Sequence, residues 1–131
     1  MTKKIFILTL IGLISSASAY AACNGGTEIT NTAGTTFCKS NVTMNWWASA
    51  AWCKANGLQL ATMYEMCPSW DGNTGGGKCQ ELKGVGSEYD EVWSATAAGM
   101  HRGFTVQCSY GSVYGINSSE RQQNSRLAFC L

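Results

Sequence analysis

Seven cysteines constrain this chain more than any other feature, because an odd number cannot pair completely within one molecule. They stand at positions 23, 38, 53, 67, 79, 108 and 130 of 131 residues. What such cysteines do depends on the compartment, and the N-terminal residues speak to that. Lys3 and Lys4 form a positive start, Ile5 to Ile14 an apolar run, and Ser15 to Ala19 a stretch of small residues. Ala17-Ser18-Ala19 and Ala19-Tyr20-Ala21 both fit a cleavage site, so residues 1–21 read as a bacterial-style secretory signal peptide. The apolar run falls well short of the roughly 20 residues that a membrane-spanning helix needs. An exported chain enters an oxidising compartment, where disulfides are the default use of cysteine. The expected localisation is therefore secreted, periplasmic or at the cell surface. Lipid attachment at Cys23 is the alternative processing, although Tyr20 stands where lipoprotein signals usually carry leucine.

All seven cysteines remain after cleavage, while loss of Lys3 and Lys4 takes the formal charge from +1 to −1. So small a charge gives no electrostatic footprint for nucleic acid. A hydrophobic content of 45%, with 11% aromatic residues, is enough to bury a core and argues against an ordinary disordered chain. The length allows one domain.

Residues 22–36 are rich in Asn, Gly and Thr and read as an N-terminal arm, either loose or a hairpin tied down by Cys23 and Cys38. The domain proper is assigned to residues 37–131, starting with a short strand at Thr36-Phe37-Cys38. Met44 to Asn56 reads as a helix: Trp46, Ala50 and Cys53 recur at i, i+4 and i+7, and Trp47 and Ala51 widen that stripe. Asn45 or Thr43 is the natural N-cap, and Asn56-Gly57 supplies the left-handed closure. Leu58-Gln59-Leu60 is an extended link or short strand. A second helix starts at Thr62, where Thr62-x-x-Glu65 forms a capping box, and Pro68 limits it.

Six glycines between positions 68 and 87 indicate a long surface loop, the kind of segment that often binds. Cys67 and Cys79 bracket its first half and are expected to staple it. The last third reads as β-structure. Val92-Trp93-Ser94 starts it, and Phe104, Val106, Cys108 and Tyr110 alternate with polar residues as a half-buried strand. Gly111-Ser112 suits a tight turn into Val113 to Ile116. Leu127-Ala128-Phe129-Cys130 is apolar on both faces and reads as a central strand.

Three of these segments together carry a family resemblance. The run Trp47 to Ala61, with its order of Trp, Ala, Cys, Gly and Leu-Ala, resembles the first-helix signature of C-type lectin-like domains. Val92-Trp93-Ser94 resembles that family's central tryptophan strand, and Ala128-Phe129-Cys130-Leu131 its closing strand. The likeness covers about Phe37 to Leu131. It implies an α+β fold, with two helices flanking small antiparallel sheets and the chain ends meeting in a sheet. It also implies a disulfide from Cys53 to Cys130 and, as in the family's long form, one from Cys23 to Cys38. With Cys67–Cys79 as a third pair, Cys108 is left as a buried thiol. If Cys23 is acylated instead, Cys38 and Cys108 need reassignment.

The departures from the family bear on function. Its calcium-dependent sugar binders carry Glu-Pro-Asn or Gln-Pro-Asp and then Trp-Asn-Asp, and none of these triplets occurs here. Trp93 lies just 37 residues before Cys130, which leaves little room for a long calcium-binding loop. Calcium needs six to eight oxygen ligands. The two acidic clusters, Asp71-Gly72-Asn73 and Glu88 to Glu91, precede Trp93, whereas the family's site follows it, so they read as solvated loops. His101 is the sole histidine, and no C-x-x-C pair accompanies it for zinc. A Cys108–His101 catalytic pair is outweighed by the apolar strand face on which Cys108 falls. No metal, no cofactor and no catalysis are expected.

Trp46 or Trp47, Trp52 and Trp93 are assigned to the core. Trp70, in the glycine-rich segment, is a candidate exposed contact. Tyr110, Tyr114, Asn117 and Arg121 lie in a polar-aromatic stretch of the kind that gives rigid contact area with adaptable hydrogen bonding. These five residues form the candidate ligand-binding set, for a protein or glycan ligand on a cell surface. Two alternatives keep the fold. One is a diversified receptor with a variable C-terminal cassette, as some bacterial and phage proteins of this fold are. The other is an envelope or surface-appendage component.

Overall fold

Residues 127–130 lie at the middle of the molecule because every one of them can be buried. The computed structural model describes residues 23–73, 77–87, 89–117 and 125–131. Six strands, β1 (Gly26–Thr30), β2 (Thr36–Met44), β3 (Glu91–Gly99), β4 (Arg102–Gln107), β5 (Ser112–Asn117) and β6 (Arg126–Cys130), form one sheet in the order β1-β2-β6-β3-β4-β5. The pairing of β6 with β3 is parallel and all others are antiparallel. Two helices, α1 (Trp46–Ala55) and the single turn α2 (Met63–Met66), complete an α+β domain. The expectation of several small antiparallel sheets is thus corrected to a single mixed sheet. β6 bridges two hairpin units that would otherwise each be a separate sheet.

Side chains alternate across a strand, so β6 feeds two cores. Leu127 and Phe129 join Phe37, Val92, Phe104 and Val106 on one face. Ala128 and Cys130 join Cys38, Cys53 and Trp93 on the other. Phe37 and Phe129 stack with ring centroids 4.5 Å apart. Over the first face lie α2 and the segment after it, which contributes Trp70, Cys79 and Leu82. α1 covers the second face, where Trp46 and Trp52 pack at the margin of the core.

The helix ends follow their local chemistry. Asn45 accepts a hydrogen bond from the Ala48 amide at 2.8 Å and caps α1, and Gly57 takes φ +72° just beyond the helix. The Thr62–Glu65 capping box is present in both directions. The inward face of α1 carries the expected Trp46, Ala50 and Cys53, but not the residues expected to widen it. Ser49 and Cys53 are its buried residues, whereas Trp47 and Ala51 face solvent. Ser49 is tolerated inside because its hydroxyl donates to the Asn45 carbonyl at 2.9 Å.

Of the two readings of residues 22–36, the hairpin is the one found from Cys23 onward. β1 pairs with β2 from Gly26↔Ser40 to Thr30↔Thr36, and the Cys23–Cys38 disulfide ties the base. β2 runs to Met44, well beyond the expected three residues, with a bulge between Lys39 and Thr43. Ser40 fills the gap, its hydroxyl accepting from the Ala128 amide and donating to the Val42 carbonyl. Cys53–Cys130 and Cys67–Cys79 also form, and Cys108 is a free, buried thiol. β4 is not half-buried as its alternation suggests, since Thr105 is as inaccessible as Phe104 and Val106. Three disulfides fit an oxidising compartment outside the cytoplasm. Among the described residues no helix is long and apolar enough to cross a membrane.

Candidate functional site

Two tryptophans in succession at the start of a helix point about 100° apart, so both cannot enter the same core. Trp46 turns inward. Its indole N–H donates to the Ser94 carbonyl at 2.7 Å, and its ring lies over Gly103 of β4. A Cβ at position 103 would come within 3.1 Å of that ring, so the glycine is what lets the indole lie against the strand. Trp47 turns outward, 61% exposed, with its ring edge-on to Trp46 at a centroid distance of 4.8 Å.

A bulge in β3 prepares this place. The β3–β4 register shifts between Trp93 and Ala97. Within the shift Ser94 donates from its hydroxyl to the Phe104 carbonyl at 3.0 Å, and Ala95 donates from its amide to the Ala61 carbonyl at 2.7 Å. Thr96 hydroxyl accepts from the Met63 amide, tying the bulge to α2. These bonds give polar groups within the bulge partners outside the ladder. They also aim the Ser94 carbonyl at Trp46. Beyond the bulge, Gly99 pairs with Arg102 and leaves a two-residue turn of Met100 and His101. His101 has φ +63°, a left-handed position that glycine or asparagine normally takes. Met100 is 85% exposed at the tip.

Trp46 thereby becomes the partition between two concavities. One, of about 330 Å³, is walled by Trp46, Trp47, Ala97, Gly99, His101 and Arg102. The other, a groove of about 640 Å³, runs between α1 and the extended link, past Ala50, Lys54, Leu58, Leu60 and Ala95. Among the described residues neither is lined by a carboxylate.

Of the five residues expected to bind ligand, Tyr110 and Tyr114 are exposed. The β4–β5 register sets Tyr114 opposite Thr105 and Ile116 opposite Gly103, which places Tyr114 on the sheet face that Trp46 covers. Asn117 ends β5 opposite Arg102, and its side chain lies outside the described residues, as does the whole of Arg121. Trp70 is corrected to a core residue, 6% exposed, edge-on to Phe104 at 4.9 Å and tilted against Tyr64. The described residues on either side of it are anchored: Cys79 donates from its amide to the Gly111 carbonyl, and the Cys67–Cys79 bridge is fully buried.

Cys108 and His101 are not brought together. Cys108 sits in the core beside Phe104 and Val106, and burial, aided by the charge of Asp90, pushes its thiol up to about 12. Trp47, Met100, His101 and Arg102 were not singled out for binding by the sequence reading. The Trp-Trp pair is the signal that points to them. Comparison with family models, curated proteins and solved structures finds no match for this chain.

Proposed function

We propose that this protein is a secreted, disulfide-stapled C-type lectin-like module that binds a protein or carbohydrate ligand, without catalysis and without calcium. The observation that carries the reading is the solvent-facing indole of Trp47, held edge-on by a fixed Trp46 above a concavity walled by the β3–β4 turn. An exposed tryptophan on a rigid support offers contact area at little cost in ordering. The lectin-like part draws support from β6 lying between β2 and β3 with Cys130 bonded to Cys53 on α1, and from the burial of Trp93 between them. The two-residue turn at Met100-His101 follows the tryptophan strand, where the family's sugar binders carry their long calcium loop.

The test is binding of the purified mature chain to arrayed glycans and to intact cells, with calcium and with a chelator. Binding that is indifferent to the chelator is expected. Binding that vanishes on chelation overturns the metal-free reading, and no binding to either surface overturns the module. The exposure of Tyr110 and Tyr114 favours a second reading, a diversified receptor. A gene without an adjacent reverse transcriptase and a near-repeat of its 3′ end removes that one.

A further inference from the structure

We infer that the surface centred on Trp46 takes an acidic glycan, with one sugar ring on Trp47, its carboxylate at Arg102, and the chain running past Trp46 toward Lys54. This deepens the binding-module reading and rests on it.

The argument starts from where unpaired positive charge stands. The mature chain carries a formal charge of −1, so a basic surface is not its default. Lys39 pairs with Asp90, Arg126 pairs with Glu91, and Lys78 reaches the Ser112 hydroxyl. Among the described Lys and Arg residues that leaves Lys54, Lys78, Lys83 and Arg102 without a carboxylate. Two of these four, Lys54 and Arg102, border the concavities on either side of Trp46, and among the described residues no carboxylate lines either. Lys54 also suits the last turn of α1. Arg102, at the first residue of β4, has no helix end to serve.

Chemistry and shape then select the ligand. A pyranose has one face of C–H groups, which lies flat on an indole, and a rim of hydroxyls and, in a uronate, a carboxylate. Trp47 supplies the flat apolar surface and Arg102 a planar fork of donors that suits a carboxylate. His101 adds a ring at the turn. A volume of about 330 Å³ suits a single sugar ring, and the larger groove allows the chain to continue. An acidic peptide would find no sheet edge here to pair with, since β3 and β4 are both flanked by strands.

Isothermal titration of the mature chain with tetragalacturonate, and with the same tetramer fully methyl-esterified, tests this. Wild type should bind the acid at least about tenfold more tightly than the ester, and more weakly as salt rises. Trp47→Ala should lose at least about tenfold toward both, with Trp47→Tyr recovering part of it. Arg102→Gln should lose affinity for the acid alone. Trp47 is exposed, so unchanged melting of its variants separates a lost contact from a lost fold. Equal binding of acid and ester overturns the acidic part, and full binding by Trp47→Ala overturns the site. A wild type that binds arrayed neutral glycans but not tetragalacturonate overturns this inference and leaves the binding module standing.

Discussion

Cys53–Cys130 and Cys67–Cys79 form a matched pair for asking what a disulfide does in this fold. All four cysteines are fully buried, so replacing either pair by alanine removes the same atoms from the same kind of place. To first order the cavity terms cancel. What does not cancel is the freedom that each cross-link denies the unfolded chain. The bridged cysteines are separated by 77 positions in one case and 12 in the other. The chain-entropy relation assigns about 4.5 kcal/mol to the longer loop and about 2.8 kcal/mol to the shorter at 25 °C. C53A/C130A should therefore lower stability by about 1.7 kcal/mol more than C67A/C79A. Both are best made with Cys108→Ala, so that no thiol remains to attack the surviving bridges. Urea unfolding followed by tryptophan fluorescence reads the difference, because Trp93 is fully buried in the folded state. The m-value should also rise more for C53A/C130A, whose unfolded chain is freed to expand further. Equal losses, or the larger loss for C67A/C79A, would refute the reasoning and assign the bridges' effect to native packing.

Three further outcomes are expected. His101→Gly relieves a left-handed side-chain residue and should raise stability by up to about 1 kcal/mol in the same urea assay. Thr105 is fully buried with no hydrogen-bond partner for its hydroxyl, so Thr105→Val, close in shape, should be neutral or stabilising by about 1 kcal/mol. A destabilised valine variant would reveal a partner for that hydroxyl. Cys108 is held protonated by burial, its thiol pushed up to about 12 from an ordinary 9.0. Folding then retains a proton that the unfolded thiol gives up. The stability tied to this is complete below about pH 9 and lost as pH climbs toward 12. Cys108→Ala should flatten the alkaline limb of stability measured against pH.

Much of the fold is written in short-range chemistry. The capping box at Thr62 and the N-cap at Asn45 are local bonds and need nothing distant to be recognised. Leu127 to Cys130 is apolar at each position because both faces of β6 meet a core, and that too is visible in four letters. The errors arise where a distant element decides. Trp47 looks like its neighbour until Gly103 and Ser94 claim Trp46 and leave it outside. Trp70 sits among glycines, yet Phe104, far along the chain, takes it into the core. Thr105 reads as a solvent position because alternation cannot show that Trp93, its cross-strand partner, belongs to a second core on that face. The candidate site was legible only in part. Tyr114 is exposed as its place in the hairpin suggests, and Tyr110 is exposed because β4 ends at Gln107, short of the alternation that grouped it with Phe104 and Val106. The concavity beside Trp47 depends on the β3 bulge, which leaves no mark in a run of small residues.

The position of β6 has a consequence for the order in which this molecule assembles. β1 and β2 can pair early, and so can β3, β4 and β5, because each group joins near neighbours in the chain. No strand pairing joins the two groups until β6 lies between β2 and β3. Contacts across such sequence distances form slowly. Until they do, Cys53 has no correct partner and its thiol stands ready to attack the bonds already made around it. Correct oxidation of Cys53 is thus expected to come last, and a thiol-disulfide isomerase should accelerate it far more than it accelerates closure of Cys23–Cys38 or Cys67–Cys79.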